Sequence, residues 1–260
     1  MSDGADRPAA AARTVALRTV GLCKSWGGIR ANDHVNLTLP VGARHALIGP
    51  NGAGKTTLIN LLTGLYPPSA GRVVLGDDDI TRLAMHERVE RGMVRTFQTS
   101  TLFPGLTVLE SVVLAICQRS GLGRMWTRPV ARLGGPVAEA RELIDRLRLG
   151  PVAGTTTSKL PYGMQRLLEI ALALAMKPKI LLLDEPAAGI PSGESAEVFE
   201  IIAALPGDVS VLFIEHDMEL VFRFAERVAV LVDGALLTEG TPAEIASDPR
   251  VRAVYLGEAG

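Results

Sequence analysis

"RHALIGPNGAGKTTLINLL", residues 44–62, starts as an apolar run, passes through three glycines and ends in an apolar helical pattern. The order is strand, loop, helix. In that setting GPNGAGKT (Gly49–Thr56) reads as a phosphate-binding loop. Gly49, Gly52 and Gly54 let successive backbone N–H groups wrap a chain of phosphates, and the start of the following helix adds positive partial charge. Lys55 reaches the β- and γ-phosphates, and the Thr56 hydroxyl is placed to ligate Mg²⁺.

Such a loop needs acids at the end of a neighbouring strand. ILLLDEP (Ile180–Pro186) supplies them: a continuous apolar run reads as a strand buried on both faces, and its carboxylates fall at the C-terminal end, where open α/β sheets bind ligands. Asp184 fits an Mg²⁺ partner acting through water. Glu185 fits the base that positions and polarises an attacking water. IEHD (Ile214–Asp217) ends another apolar strand, and His216 there is placed for the γ-phosphate or the attacking water. His34, His45 and His86 lack such a setting and read as structural. In TFQ (Thr96–Gln98), Gln98 has the chemistry to accept from Mg²⁺-bound water and donate to the γ-phosphate. Trp26, in CKSWGG, is either a platform for a base or a rim aromatic.

Composition bounds the rest. At 260 residues and 47% apolar, the chain is long enough for one large α/β domain with a small lobe attached. A net charge of −1 argues against a mainly electrostatic nucleic-acid binder. Two cysteines, Cys23 and Cys117, are too few for a disulfide framework and fit a reducing compartment. The longest apolar run, Ile170–Met176, is far short of the roughly 20 residues that span a bilayer. The Ala-rich start, residues 1–14, reads as a disordered tail rather than a signal peptide.

Short β-rich runs come first: Val15–Leu22, His34–Leu39, Arg44–Ile48 and Arg72–Leu75. Helical periodicity follows over Val108–Cys117 and Val137–Leu149, separated by a Gly/Pro/Arg-rich excursion. Strands and helices then alternate from Ile180 to Val232, which predicts a parallel sheet with helices on both faces. Asp233-Gly234 marks a hairpin. This divides the chain into a nucleotide-binding core (15–92 and 166–260) and an inserted helical lobe (93–165).

KLPYGMQRLLEIALALAM (159–176) begins in a turn and runs into an apolar helix, with no nucleophile or metal ligand. Its place in the order explains it. Aromatic loop, P-loop, Gln loop, this helix, Asp-Glu strand and His strand together resemble the ATP-binding cassette (ABC) ATPases over about residues 15–257. VRTFQ (94–98), LFPGLTVLESV (102–112), LPYG with LLEIA (160–171), DEPAAG (184–189), IEHDM (214–218) and GTPAEIASDPRVRAVYLG (240–257) resemble the ATP-binding subunits of branched-chain amino acid importers, in the class that bears TFQ.

The resemblance implies a RecA-like P-loop NTPase core with an antiparallel β subdomain and an inserted helical lobe. It implies ATP held by Trp26 and by Gly49, Pro50, Asn51, Gly52, Ala53, Gly54, Lys55, Thr56 and Thr57. Mg²⁺ is held at Thr56, Gln98 and Asp184, and Glu185, His216 and Gln98 serve hydrolysis. Leu160, Pro161, Tyr162, Gly163, Met164 and Gln165 stand where the family has LSGGQ, a loop that meets the nucleotide of the opposite subunit. Pro161 replaces the Ser and Met164 the Gln, and Pro191 stands where many members carry Asp or Asn. The implied partners are a second ATP-binding subunit, identical or related, integral membrane permease subunits, and indirectly an extracytoplasmic solute-binding protein. The implied location is the cytoplasmic face of the membrane. Urea, a short-chain amide or another amino acid is the competing solute. A non-transport ABC ATPase acting on DNA or ribosomes is disfavoured by the absence of long heptads and of basic charge, and a P-loop kinase does not need the LPYG loop.

Overall fold

The computed structural model describes residues 14–96, 102–122 and 134–256. In chain order its elements are β1 (Val15–Trp26), β2 (Ile29–Val35), β3 (Thr38–Pro40), β4 (Arg44–Ile48), α1 (Lys55–Thr63), β5 (Ala70–Leu75), β6 (Asp78–Asp79), α2 (Met85–Glu90), β7 (Met93–Arg95), α3 (Val108–Arg119), α4 (Gly134–Arg146), α5 (Tyr162–Ala175), β8 (Ile180–Asp184), α6 (Ser192–Ala203), β9 (Ser210–Ile214), α7 (Met218–Phe224), β10 (Arg227–Val232), β11 (Ala235–Gly240), α8 (Pro242–Ser247) and α9 (Pro249–Leu256). One sheet is antiparallel, in the order β2-β1-β5-β6 with β3 also on β1. The other runs β11-β10-β4-β9-β8-β7, parallel except for its β10–β11 edge hairpin.

The apolar strands of the parallel sheet are buried on both faces, and their period of two sorts residues into two cores. Ala46, Ile48, Leu181, Leu183, Val211 and Phe213 face one core together with Val112 of α3, Leu168 of α5 and Phe199 of α6. Leu47, Ile180, Leu182, Leu212 and Ile214 face the other, with Leu58 and Leu62 of α1 and with Leu22, Leu39 and Val73 of the antiparallel sheet. The expectation of helices on both faces is thus met on one face. On the other, α1 shares the cover with a sheet, because β1 and β5 carry their own inward apolar residues.

Two boundaries differ from the sequence reading. Met93–Arg95 pairs in register with Ile180–Leu182 and forms the edge of the core sheet, so it does not belong to the helical lobe. Likewise α5 crosses the expected 165/166 boundary as one helix, since its inner residues Leu167, Leu168 and Ala171 sit in the main core. The strand expected over His34–Leu39 is split. His34 takes φ +48°, and the Asn36 side chain accepts from Gly21 N at 2.7 Å and donates to His34 O at 2.9 Å, which diverts the backbone from the ladder.

Buried arginines close helix ends. Arg88, 1% exposed, donates to Leu61 O and Leu62 O in the last turn of α1 and to Thr81 O and Leu83 O. Burial brings its guanidinium down to about 10. A cation at a helix C-terminus satisfies carbonyls that lack intrahelical partners. The expected hairpin at Asp233-Gly234 is present, with φ +47° and +81°, the positive values at both central residues that a tight hairpin turn uses.

Candidate functional site

The strand order places β4, β9 and β8 side by side. Their C-terminal ends therefore bring three loops to one edge: Gly49 onward after β4, Glu215 onward after β9, and Glu185 onward after β8. The first is the phosphate loop. Gly54 caps α1 at φ +96°, and a Cβ there would lie 2.2 Å from Ala31 O, so only glycine fits. The loop is pinned from behind. Gly234 N donates to Ala53 O at 3.0 Å, and Asn32 Nδ2 donates to Gly54 O at 3.3 Å. Lys55 is buried, and its Nζ donates to Gly49 O at 2.6 Å and Pro50 O at 2.9 Å. Asn51, Gly52 and Thr56 are exposed, and Thr57 is half-buried. The start of α1 has no side-chain cap, which leaves its first N–H groups to bind an anion.

At the end of β8, Asp184 is buried and ion-paired: Arg95 Nη2 meets its Oδ2 at 2.6 Å, with Arg95 9% and Asp184 1% exposed. Asp184 Oδ1 is buried with no hydrogen-bond partner among the described residues. An orphaned carboxylate oxygen at the same sheet edge as a phosphate loop suits a cation or its water. Glu185, at φ +50°, is a non-glycine residue in left-handed backbone, held there by Glu185 N donating to Ile214 O at 3.0 Å. Such strain collects at functional sites. Its Oε1 lies 2.7 Å from His216 Nε2, on a half-exposed histidine. The structure thus joins three of the sequence candidates, Asp184, Glu185 and His216. Gln98 lies outside the described residues.

Sequence reasoning missed two supporting residues. Glu215 is 5% exposed and accepts from Ala187 N at 3.0 Å and His216 N at 3.1 Å, tying the loop after β8 to the loop after β9. Burial pushes its carboxyl up. Arg95 was the other; its only sequence signal was a cation inside a short apolar strand.

Trp26 stands at the tip of the β1–β2 hairpin, 47% exposed. Tyr66 meets it edge-on at 5.1 Å between centroids, and Lys24 Nζ sits 4.1 Å from the ring centroid. One face is thus engaged by a cation. The LPYG loop lies elsewhere, at the start of α5. Leu160 is buried and anchors it, Gln165 Nε2 donates to Leu160 O at 2.9 Å, and Met164 packs on the core. Pro161 and Tyr162 are exposed, and the start of α5 has no side-chain cap.

These loops mark a class, and comparison with known proteins agrees. The chain belongs to the ABC transporter family, whose model matches residues 32–188. A second model, described as the branched-chain amino acid ATP-binding cassette transporter, matches residues 235–260. The chain is 41% identical, over 92% of its length and 96% of the relative's, to the high-affinity branched-chain amino acid transport ATP-binding protein LivG of Escherichia coli K12. It is similar in structure to the ADP conformation of MJ1267, an ATP-binding cassette of an ABC transporter, with a TM-score of 0.83, 30% identity, and coverage of 94% of this chain and 99% of that one. It is also similar to the dimeric structure of the bacterial cassette MJ0796, with a TM-score of 0.72, 27% identity, and coverage of 87% and 98%. No helix of the described residues is long and apolar enough to cross a membrane.

Proposed function

We propose that this chain is the ATP-binding and ATP-hydrolysing subunit that energises an importer for branched-chain amino acids. The observation that carries it is the convergence of the phosphate loop, Asp184, Glu185 and His216 at the ends of three adjacent parallel strands. The C-terminal match and the LivG likeness support the solute.

The N–H groups at the start of α1 and the Lys55 ammonium hold the phosphates, and the exposed Trp26 ring carries the adenine. Thr56, Asp184 and Gln98 hold Mg²⁺, which when bound neutralises charge developing on the phosphates. Glu185 orients the attacking water and takes its proton. The 2.7 Å contact with His216 fixes that carboxylate in place. The site is completed by the Leu160–Gln165 loop of a second ATP-binding subunit. Pro161 has no hydroxyl to offer, so the α5 N-terminus and the backbone around Gly163 do the binding. Such helix-end contacts contribute roughly 0.3–2 kcal/mol each, comparable to the about 0.5–1.5 kcal/mol of a neutral hydroxyl bond.

The subunit works on the cytoplasmic face of the membrane beneath integral permease subunits, fed indirectly by an extracytoplasmic solute-binding protein. Of the apolar residues leading into α3, Val108 is fully buried, while Leu102 and Leu106 are half-buried. Phe103, 61% exposed, is the one left for a partner.

The test is uptake of labelled leucine by vesicles containing the chain with its permease. Wild-type protein should drive ATP-dependent uptake, and Lys55→Ala should drive none. Uptake by Lys55→Ala at the wild-type rate would overturn the assignment of the phosphate loop, and ATP turnover without any leucine uptake would overturn the solute.

A further inference from the structure

Arg95 is not needed to build the edge strand on which it sits; an aliphatic residue would serve β7 as well. It is buried to 9% exposure and spans three pieces of the site. Nη2 meets Asp184 Oδ2 on β8 at 2.6 Å, and Nη1 donates to Asn60 Oδ1 on α1. Its own strand leads into the TFQ segment through Thr96, whose N donates to Leu182 O at 3.0 Å. A buried charge is retained only where it is paired, so guanidinium and carboxylate form one neutral unit. Asp184 Oδ1 remains buried and without a partner among the described residues.

We propose that Arg95 is a positioning residue that makes metal binding conditional on nucleotide: it occupies Oδ2 of Asp184 and opposes any divalent cation at Oδ1 until phosphates supply the missing negative charge. This rests on the reading of Asp184 as an Mg²⁺ residue. The cause is electrostatic. An isolated buried carboxylate attracts a dication strongly. A carboxylate neutralised by a guanidinium a few ångströms away does not, because the cation meets a like charge in a poorly screened site. The triphosphate carries enough negative charge to reverse that balance. In the same geometry Arg95 presents Oδ1 and withholds Oδ2, so the carboxylate offers a single oxygen. Arg95 thereby keeps the resting subunit from capturing metal without its substrate, and it ties the carboxylate to α1 and to the strand leading toward Gln98.

The experiment is Mn²⁺ titration of the full chain without nucleotide, followed by loss of the free-ion paramagnetic resonance signal. Wild-type protein should bind weakly. Arg95→Met should bind one Mn²⁺ at least about tenfold more tightly, as expected when a facing charge is removed from a buried site. Arg95→Gln, which keeps a donor for Asn60, carries the same expectation should the methionine variant fail to fold. Arg95→Lys keeps the charge and should stay within about threefold of wild type. Adding Asp184→Asn to Arg95→Met should abolish the gain. Unchanged Mn²⁺ affinity in the neutral variants, an equal gain in Arg95→Lys, or a gain that survives Asp184→Asn would each overturn the proposal. A parallel titration with ADP separates the two readings. If Asp184→Asn alone leaves nucleotide-dependent Mn²⁺ binding intact, Asp184 is not the metal residue; if it abolishes that binding while Arg95→Met gains nothing, only the role of Arg95 fails.

Discussion

The phosphate loop and the LPYG loop of this chain are built in opposite ways. Gly49–Thr56 is braced from behind by its own chain: Asn32 and Gly234 hold Gly54 O and Ala53 O, and Lys55 folds back on Gly49 O and Pro50 O. Leu160–Gln165 is anchored at its ends, by buried Leu160 and by Gln165, and presents Pro161 and Tyr162 to solvent. Arg166 Nη2 donates to the Tyr162 hydroxyl at 2.8 Å from within the same helix. One loop is a finished half-site. The other is a helix start with Pro161 and Tyr162 exposed, the form expected of a surface that acts on a neighbouring subunit.

The largest effect should come from the finished half. Glu185→Gln keeps the shape of the side chain and removes the base, so hydrolysis should fall by about 10²–10⁴-fold with ATP affinity retained. Turnover at the wild-type rate would place the base elsewhere. Next is the outward half. Gly163→Asp puts a carboxylate at the start of α5, where a Cβ already lies 3.1 Å from Glu194 Oε2. Turnover should be lost while ATP binding to the isolated subunit persists. Gly163→Ala, which needs only a small shift of the flexible Glu194 end, should retain most activity; if Ala is as damaging as Asp, the fault is packing rather than charge against phosphate.

A third prediction concerns the footing of the braced loop. His45 on β4 is fully buried, and neither ring nitrogen has a hydrogen-bond partner among the described residues. Glu239 lies 3.6 Å from Nε2, but Arg227 engages that carboxylate at 3.1 Å. Burial therefore dominates, with the Arg227 charge adding to it, and the imidazole is held down at about 4. The unfolded chain, titrating near 6.5, takes up a proton that the folded chain refuses. The contribution of His45 to stability is therefore full above that value, falls as pH drops from about 6.5 to 4 and levels off below. Urea melts at pH 7.5 and 5 should differ by about 2 kcal/mol more in wild type than in His45→Leu, since a tenfold change in proton affinity on folding is worth about 1.4 kcal/mol. An equal pH dependence in the two would show that His45 is protonated when folded. The smallest effect belongs to Trp26→Ala: loss of one stacked face should weaken ATP about three- to tenfold. ATP should also quench the Trp26 fluorescence, leaving that of Trp126, which lies outside the described residues. Unchanged affinity would leave Trp26 a rim aromatic beside Tyr66.

Features that depend on local order are legible in the sequence. GPNGAGKT follows directly on a strand, ILLLDEP and IEHD each hold a strand end and the start of its functional loop, and the strands' apolar runs declare them buried. Asp233-Gly234 declares its own turn. Long-range pairing is less legible. Met93–Arg95 is too short to show a period, and its place at the sheet edge depends on pairing with Ile180–Leu182, far along the chain. Arg95 and Glu215 escape for a related reason. Their partners, Asp184 and Ala187, lie 89 and 28 residues away, and only folding reveals that the charges are buried. The split of His34–Leu39 arises from a side-chain capture by Asn36 that propensity does not encode.

The contrast between the two loops is tested most directly by cysteines at their exposed tips, Asn51→Cys and Pro161→Cys, in one Glu185→Gln chain. The native Cys23 and Cys117 are buried and do not compete. With ATP and mild oxidant, a disulfide between chains is expected, seen as a species of doubled mass that forms only with nucleotide and only when both cysteines are present. A disulfide within one chain, or no ATP-dependent link between chains, would contradict a loop that serves the opposite subunit.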